Sequence, residues 1–266
     1  MMNDELYENL EWFRMNMQTH AWDDDNEYLE NDLRSPMSMV IVMSKTKQPV
    51  SKYDTDERGM NSNILETEHD CVQIASKTML QLFSLMKPRY DLNHDDEYVS
   101  MMHAWCNARI RKIVKHEKPS RFNKLDDVNW LHVRNKLNDT ECIAYNPMLE
   151  SMQSSESFFK PVHKLQVKGY DAIRSNIHDN VKPFLLITVN DQLHMTTGKM
   201  IAQCLHAVQV AVYNLNDRQF QAWVQNGCIV NYNYGSPDAD GSIAIIDAGF
   251  TEIPAGSLTA SAELIE

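Results

Sequence analysis

The sequence predicts an α/β fold built as two related lobes. Three observations carry that expectation. Short apolar runs rich in β-branched residues alternate with longer segments whose apolar residues recur at three- and four-residue steps. That order restarts after a polar, Ser-rich stretch, and an Ala-Trp pair (Ala104-Trp105, Ala222-Trp223) precedes a strand in each half. A chain of 266 residues, 43% of them hydrophobic, can form one large domain or two small ones.

Taken in order, Leu6, Leu10, Phe13 and Met17 stand at helical spacing ahead of the Asp23-Asp24-Asp25 cluster. Residues 1–36 therefore read as an appended acidic segment, a short amphipathic helix followed by a solvated link, with a dedicated interaction tail as the alternative. Met37 to Met43 reads as a buried strand that runs into a polar loop through Arg58. From Glu66 to Met86 the stripe Val72, Ala75, Met79, Leu82 and Met86 predicts a helix stopping before Pro88. A second helix follows over Asp95 to Ala108, then a strand over Ile110 to Val114 and a short run from Cys142 to Tyr145 closed by Asn-Pro.

These elements make a first lobe over 37–150, and the Ser-rich start of 151–180 marks a linker. The second lobe, 181–266, repeats the order: a strand over Phe184 to Val189, a helix over Thr196 to Leu215 and a short helix over Asp217 to Asn226. Strands follow over Ile229 to Tyr234 and Ile243 to Ile246, with an edge strand over Leu258 to Ala262. Only Gly235 to Ser242 join two of these strands, and a helical crossover takes ~10 to 12 residues. The link is expected to be a loop or hairpin, which leaves one wall of the lobe missing.

Composition narrows the function. Glycine numbers 8, and no stretch reads G-x-G-x-x-G or G-x-x-x-x-G-K-[ST], which argues against dinucleotide-binding and P-loop folds. Apolar runs fall far short of the ~18 residues that cross a bilayer, and the start is acidic, so a cytoplasmic protein with no membrane partner is expected. Five widely spaced cysteines and ten histidines without ligand spacing predict neither a disulfide framework nor a metal site.

The net charge of −12 is unevenly spread. Residues 1–40 hold ten acids against two arginines, and residues 181–266 hold eight acids against Lys182, Lys199 and Arg218. A polyanionic partner must find a local basic patch. The candidate is Arg109, Arg111, Lys112, Lys115, Lys118, Arg121 and Lys124, with His116 and Phe122 interleaved, where cations neutralise phosphates and aromatic rings stack on bases. A strand and turn with a solvated face is the plainer alternative.

The chemistry-bearing residues cluster in the second half. Thr196 or Thr197 can cap the long helix, and the free N–H groups at its start, with Gly198 and Lys199, form a candidate phosphate or carboxylate site. Lys199, Gln203 and His206 share one helical face, which on its own is as consistent with the wet side of an amphipathic helix. Asp247 follows the Ile243 to Ile246 run directly, at a strand's carboxyl end, where open α/β sheets hold ligands. Thr251 and Thr259 add hydroxyl groups nearby.

The strings TTGKMIAQCLHA at 196–207 and IIDAGFTEIPAGSLT at 245–259, with Trp223 and Gly227 between, resemble the second structural class of peptidyl-tRNA hydrolase, found in archaea and eukaryotes. The resemblance spans about 85 residues from Phe184 onward. More loosely, 105–121 and 164–169 (KLQVKG) are similar to the front half of longer bacterial relatives. The resemblance implies a three-layer α/β/α lobe around a mixed four-stranded sheet. It also implies cleavage of the ester between a peptide and the 3′ ribose of tRNA, with no metal or organic cofactor.

By position it implies active-site roles for Lys199, Gln203, His206, Asp247, Thr251 and Thr259. Ester hydrolysis needs a positioned water, a proton acceptor and donors for the oxyanion. Asp247 is expected to act as base or water-orienting group, directly or through Thr251. Lys199 would bind phosphate or the oxyanion, Gln203 and Thr259 supply hydrogen bonds, and His206 is either a proton carrier or a packed structural histidine. Thr197, Gly198, Arg109, Arg111 and Lys112 are expected to contact substrate, with tRNA or peptidyl-tRNA as partner and a homodimer as one form of assembly. The alternative is a catalytically inactive module on this fold that holds RNA, a nucleotide or a protein.

Overall fold

The computed structural model describes residues 2–17, 37–44, 68–107, 110–117, 122–125, 129–138, 140–149, 181–241, 243–248 and 253–266. Helix α1 (Met2–Asn16) precedes β1 (Met37–Ser44), α2 (Glu68–Ser84), α3 (Met86–Leu92), α4 (Glu97–Cys106) and β2 (Lys112–Glu117). The first lobe closes with β3 (His132–Leu137), β4 (Thr140–Tyr145) and the short β5 (Met148–Leu149). The second lobe runs β6 (Phe184–Asn190), α5 (Thr197–Asn214), α6 (Asp217–Gln225), β7 (Val230–Gly235), β8 (Ala244–Ile246) and β9 (Leu258–Ile265). No helix among the described residues is long and apolar enough to cross a membrane.

The two sheets share one plan. In the first the order is β2-β1-β4-β3, with β5 beside β1, and in the second it is β7-β6-β9-β8. In both, the first two strands run parallel, and a later strand, β4 or β9, lies antiparallel between the first and the third. The repeated Ala-Trp has a structural meaning. Trp105 donates its indole N–H to Arg111 O (3.2 Å) and Trp223 donates to Ile229 O (2.9 Å), each six residues on. Those two carbonyls also accept from Met39 N and Leu185 N at the starts of the central strands. An indole locking a helix to the entry of the following strand is thus common to both lobes.

The lobes are not independent. Buried residues of α1, α2, β1, α5, β6 and β7 form one continuous core, with α2 and α5 packed on each other between the sheets. The N-terminal helix is correspondingly part of that core rather than an appended segment. Its Leu10 and Phe13 are fully buried, Phe13 stacks on Phe83 at 4.2 Å, and Arg14 reaches Asp217 at 3.2 Å in the second lobe. The remainder of the 1–36 acidic segment and the linker 151–180 lie outside the described residues, apart from Met17.

Several boundaries differ from the expectation for stated reasons. The first long helix breaks at Leu85 and α3 carries Pro88 in its first turn, where a missing N–H removes no helical bond. The edge strand expected over Leu258 to Ala262 is instead β9, a central strand reaching Ile265 between β6 and β8. The β7–β8 link is the short loop its length requires. Because β7 and β8 lie on opposite edges, it crosses three strand spacings, roughly 14 Å. The chain leaves Gly235 beside Asn190 and re-enters at Ala244, level with Thr188, so β8 holds only three residues. In the first lobe Phe122, Leu125 and Trp130 cover the outward Val40 and Val42, whereas the outward Leu186 and Thr188 stay partly exposed.

Candidate functional site

The second lobe brings four of the expected residues together. Thr196 caps α5 by accepting from Lys199 N, so the helix begins where the chain leaves β6 and its first turns lie over the carboxyl ends of the strands. Lys199 Nζ donates to Asp247 Oδ2, and Gln203 Nε2 donates to the same oxygen at 2.9 Å. The Thr259 hydroxyl lies 2.8 Å from Gln203 Oε1 and 3.0 Å from Ile245 O. The amide turns its N–H end to the Asp247 carboxylate, which only accepts, and its carbonyl end to the Thr259 hydroxyl.

Asp247 is held from its backbone as well. Its N–H donates to Ser257 O (2.9 Å) and its carbonyl accepts from Gly256 N (2.8 Å). Gly256 has φ +81°, a left-handed conformation that costs glycine little, so the turn after the site depends on that residue type. The Lys199 and Asp247 side chains retain 12% and 8% exposure, so the pair is kept largely out of water. Gln203 and Thr259 lie behind them, buried.

The other expected residues are placed differently. His206 turns toward the first lobe, its Nδ1 3.2 Å from Lys112 Nζ, and burial together with Lys112 and Lys199 holds its pKa well below the usual imidazole range. Lys112 does not lie on a basic surface. It is 7% exposed, donates to Gln209 Oε1 at 2.5 Å and sits over the Trp105 ring at 5.0 Å, and burial pushes its ammonium pKa down to about 7. Of its neighbours in the expected patch, Lys115, His116 and Phe122 are buried, Arg111 is half-buried and Lys124 is exposed, whereas Lys118 and Arg121 lie outside the described residues. Phe122 belongs to the core behind β1 and has no face left to stack a base. Thr197 and Gly198 are buried in the first turn of α5, and the Thr197 hydroxyl donates to Glu68 Oε1 at 3.2 Å. Arg109 and Thr251 lie outside the described residues.

Sequence reasoning missed the groups flanking that turn. Glu68, Tyr232 and Tyr234 gather beside Thr197, with Glu68 arriving from the other lobe. The signal was an acid in the first turn of a helix, which reads as an ordinary partner for the helix dipole. The first lobe has no counterpart of the Asp247 loop. There Leu137 pairs with Thr140 across a tight turn through Asn138 (φ 52°), whereas residues 247–257 separate the matching pair Ile246 and Leu258. No protein-family model, characterised protein or solved structure matches the chain.

Proposed function

We propose that the second lobe is an ester-hydrolysing site of the peptidyl-tRNA hydrolase type, acting on the bond between a peptide carboxyl and the 3′ ribose of tRNA. The convergence of Lys199 and Gln203 on one carboxylate oxygen of Asp247 carries this reading. Substrate entry would draw the Lys199 ammonium toward the ester carbonyl, where it stabilises the developing oxyanion. Asp247, its orientation kept by Gln203, would then align a water, take its proton during attack and return it to the ribose 3′ oxygen as the acyl C–O bond breaks. Thr259 holds Gln203 in the donor-forward orientation that this requires.

The placement of this cluster past the ends of the parallel strands β6 and β7 supports the reading, because ligands of open α/β sheets lie there. The first lobe would then serve as scaffold, since only residues 138–139 join its matching strands where residues 247–257 do so in the second. Purified protein should release the peptide from an N-blocked aminoacyl-tRNA and leave the same acyl group on a backbone amide intact. Cleavage of neither, with folding verified by circular dichroism, would remove the proposal.

A further inference from the structure

The first turns of α2 grip the free edge of the second sheet. His69 Nε2 lies 3.1 Å from Asn231 Oδ1, and Gln73 Oε1 accepts from Val230 N at 3.1 Å. Glu68, 4% exposed, reaches further. Its Oε1 accepts from Thr197 Oγ1 (3.2 Å), and its Oε2 accepts from Tyr232 OH (3.1 Å) and Tyr234 OH (2.8 Å). The stitching of β7 is already supplied by Gln73 and His69, so edge pairing alone does not account for the reach of Glu68 to the second lobe's long helix.

Glu68 also reaches Thr197, the first residue of α5 and two before Lys199. The same helical turn is held on its other side by Lys199 bonding to Asp247. One turn is therefore pinned between two carboxylates, one from each lobe. Lysine has a long flexible stem, so where its ammonium falls depends on where its backbone starts, and small displacements of a reacting group are expensive in rate.

We infer that Glu68 is a positioning residue which the first lobe lends to the second lobe's site, fixing through Thr197 the turn that presents Lys199 to Asp247. The inference rests on the hydrolase reading above. It is tested by steady-state hydrolysis of an N-blocked aminoacyl-tRNA with the full chain and the variants Glu68→Ala, Glu68→Gln, Thr197→Val and Glu68→Ala/Thr197→Val, each checked for folding by thermal melting. Glu68→Ala and Thr197→Val should each lower kcat by about ten-fold or more with KM changed less than about two-fold, and the double variant should be no worse than either single one, as for two members of one contact. Glu68→Gln keeps a carbonyl acceptor and should recover kcat to within about three-fold of the parent.

A Glu68→Ala enzyme with unchanged kcat, losses that multiply in the double variant, or a glutamine no better than alanine would each overturn the inference. Should Glu68→Ala fail to fold, Thr197→Val decides, and full activity in that variant overturns it. A parent protein that does not hydrolyse the ester removes the hydrolase reading and this inference together, whereas a parent that hydrolyses alongside an unaffected Glu68→Ala removes this inference alone.

Discussion

At the scale of single residues, the site works by excluding alternatives. Thr259 takes the carbonyl of Gln203, Gln203 is left to offer its N–H to Asp247, and Asp247 is tied by its own backbone to the Gly256 turn. Thr259→Val leaves the buried Gln203 carbonyl short of a donor. It should cost about 1–3 kcal/mol of stability in denaturant titration, and hydrolysis should fall by more than the folded fraction does. Unchanged turnover in folded Thr259→Val would mean that the amide orientation does not matter. Lys199, Gln203, Asp247 and Thr259 were readable in the sequence because short-range spacing on a helix and a strand end bears on them. Glu68 and the inward turn of Lys112 were not, since both arise from contacts between lobes far apart along the chain.

At the scale of elements, the contact of β2 with α5 sets a pH dependence. Lys112 loses its proton near pH 7 when folded and near 10.5 when free, so between those values the unfolded chain binds the extra proton and folding becomes more favourable as pH rises. Thermal midpoints of the parent should rise from pH 7 toward pH 9 relative to Lys112→Met, in which this group is gone. Parallel curves for the two proteins would show that Lys112 does not titrate there.

Element type was readable wherever burial is periodic, as in β6, whose Leu185, Ile187 and Val189 face the core while their neighbours face out. It was unreadable in β3, a half-exposed edge strand held by its ladder to β4 and by Arg134 bonding to Glu141, with no apolar stripe to betray it. β9 was misread as an edge because Glu263 interrupts its apolar run, although the chain continues pairing to Ile265.

At the scale of the whole molecule, two sheets of one strand plan share a single core, and the long link over 247–257 belongs to the second alone. That shared core accounts for α1, whose Phe13 stacks on α2 while Arg14 and Asn3 reach α6 and its end. Phe13→Ala should destabilise the protein by about 3–5 kcal/mol. Near- and far-ultraviolet signals should still melt together in the parent, because the lobes share their apolar interior. Two resolved transitions would indicate lobes that fold separately.

The decisive measurement compares the parent with Asp247→Asn and Lys199→Ala in the release of peptide from an N-blocked aminoacyl-tRNA. Asparagine keeps an acceptor for Gln203, yet it cannot take a proton, so turnover of the folded protein should drop by about a hundred-fold or more, with loss of Lys199 costing a comparable factor. Cleavage that persists at the parent rate in both variants would contradict the assignment of this cluster as the reacting centre.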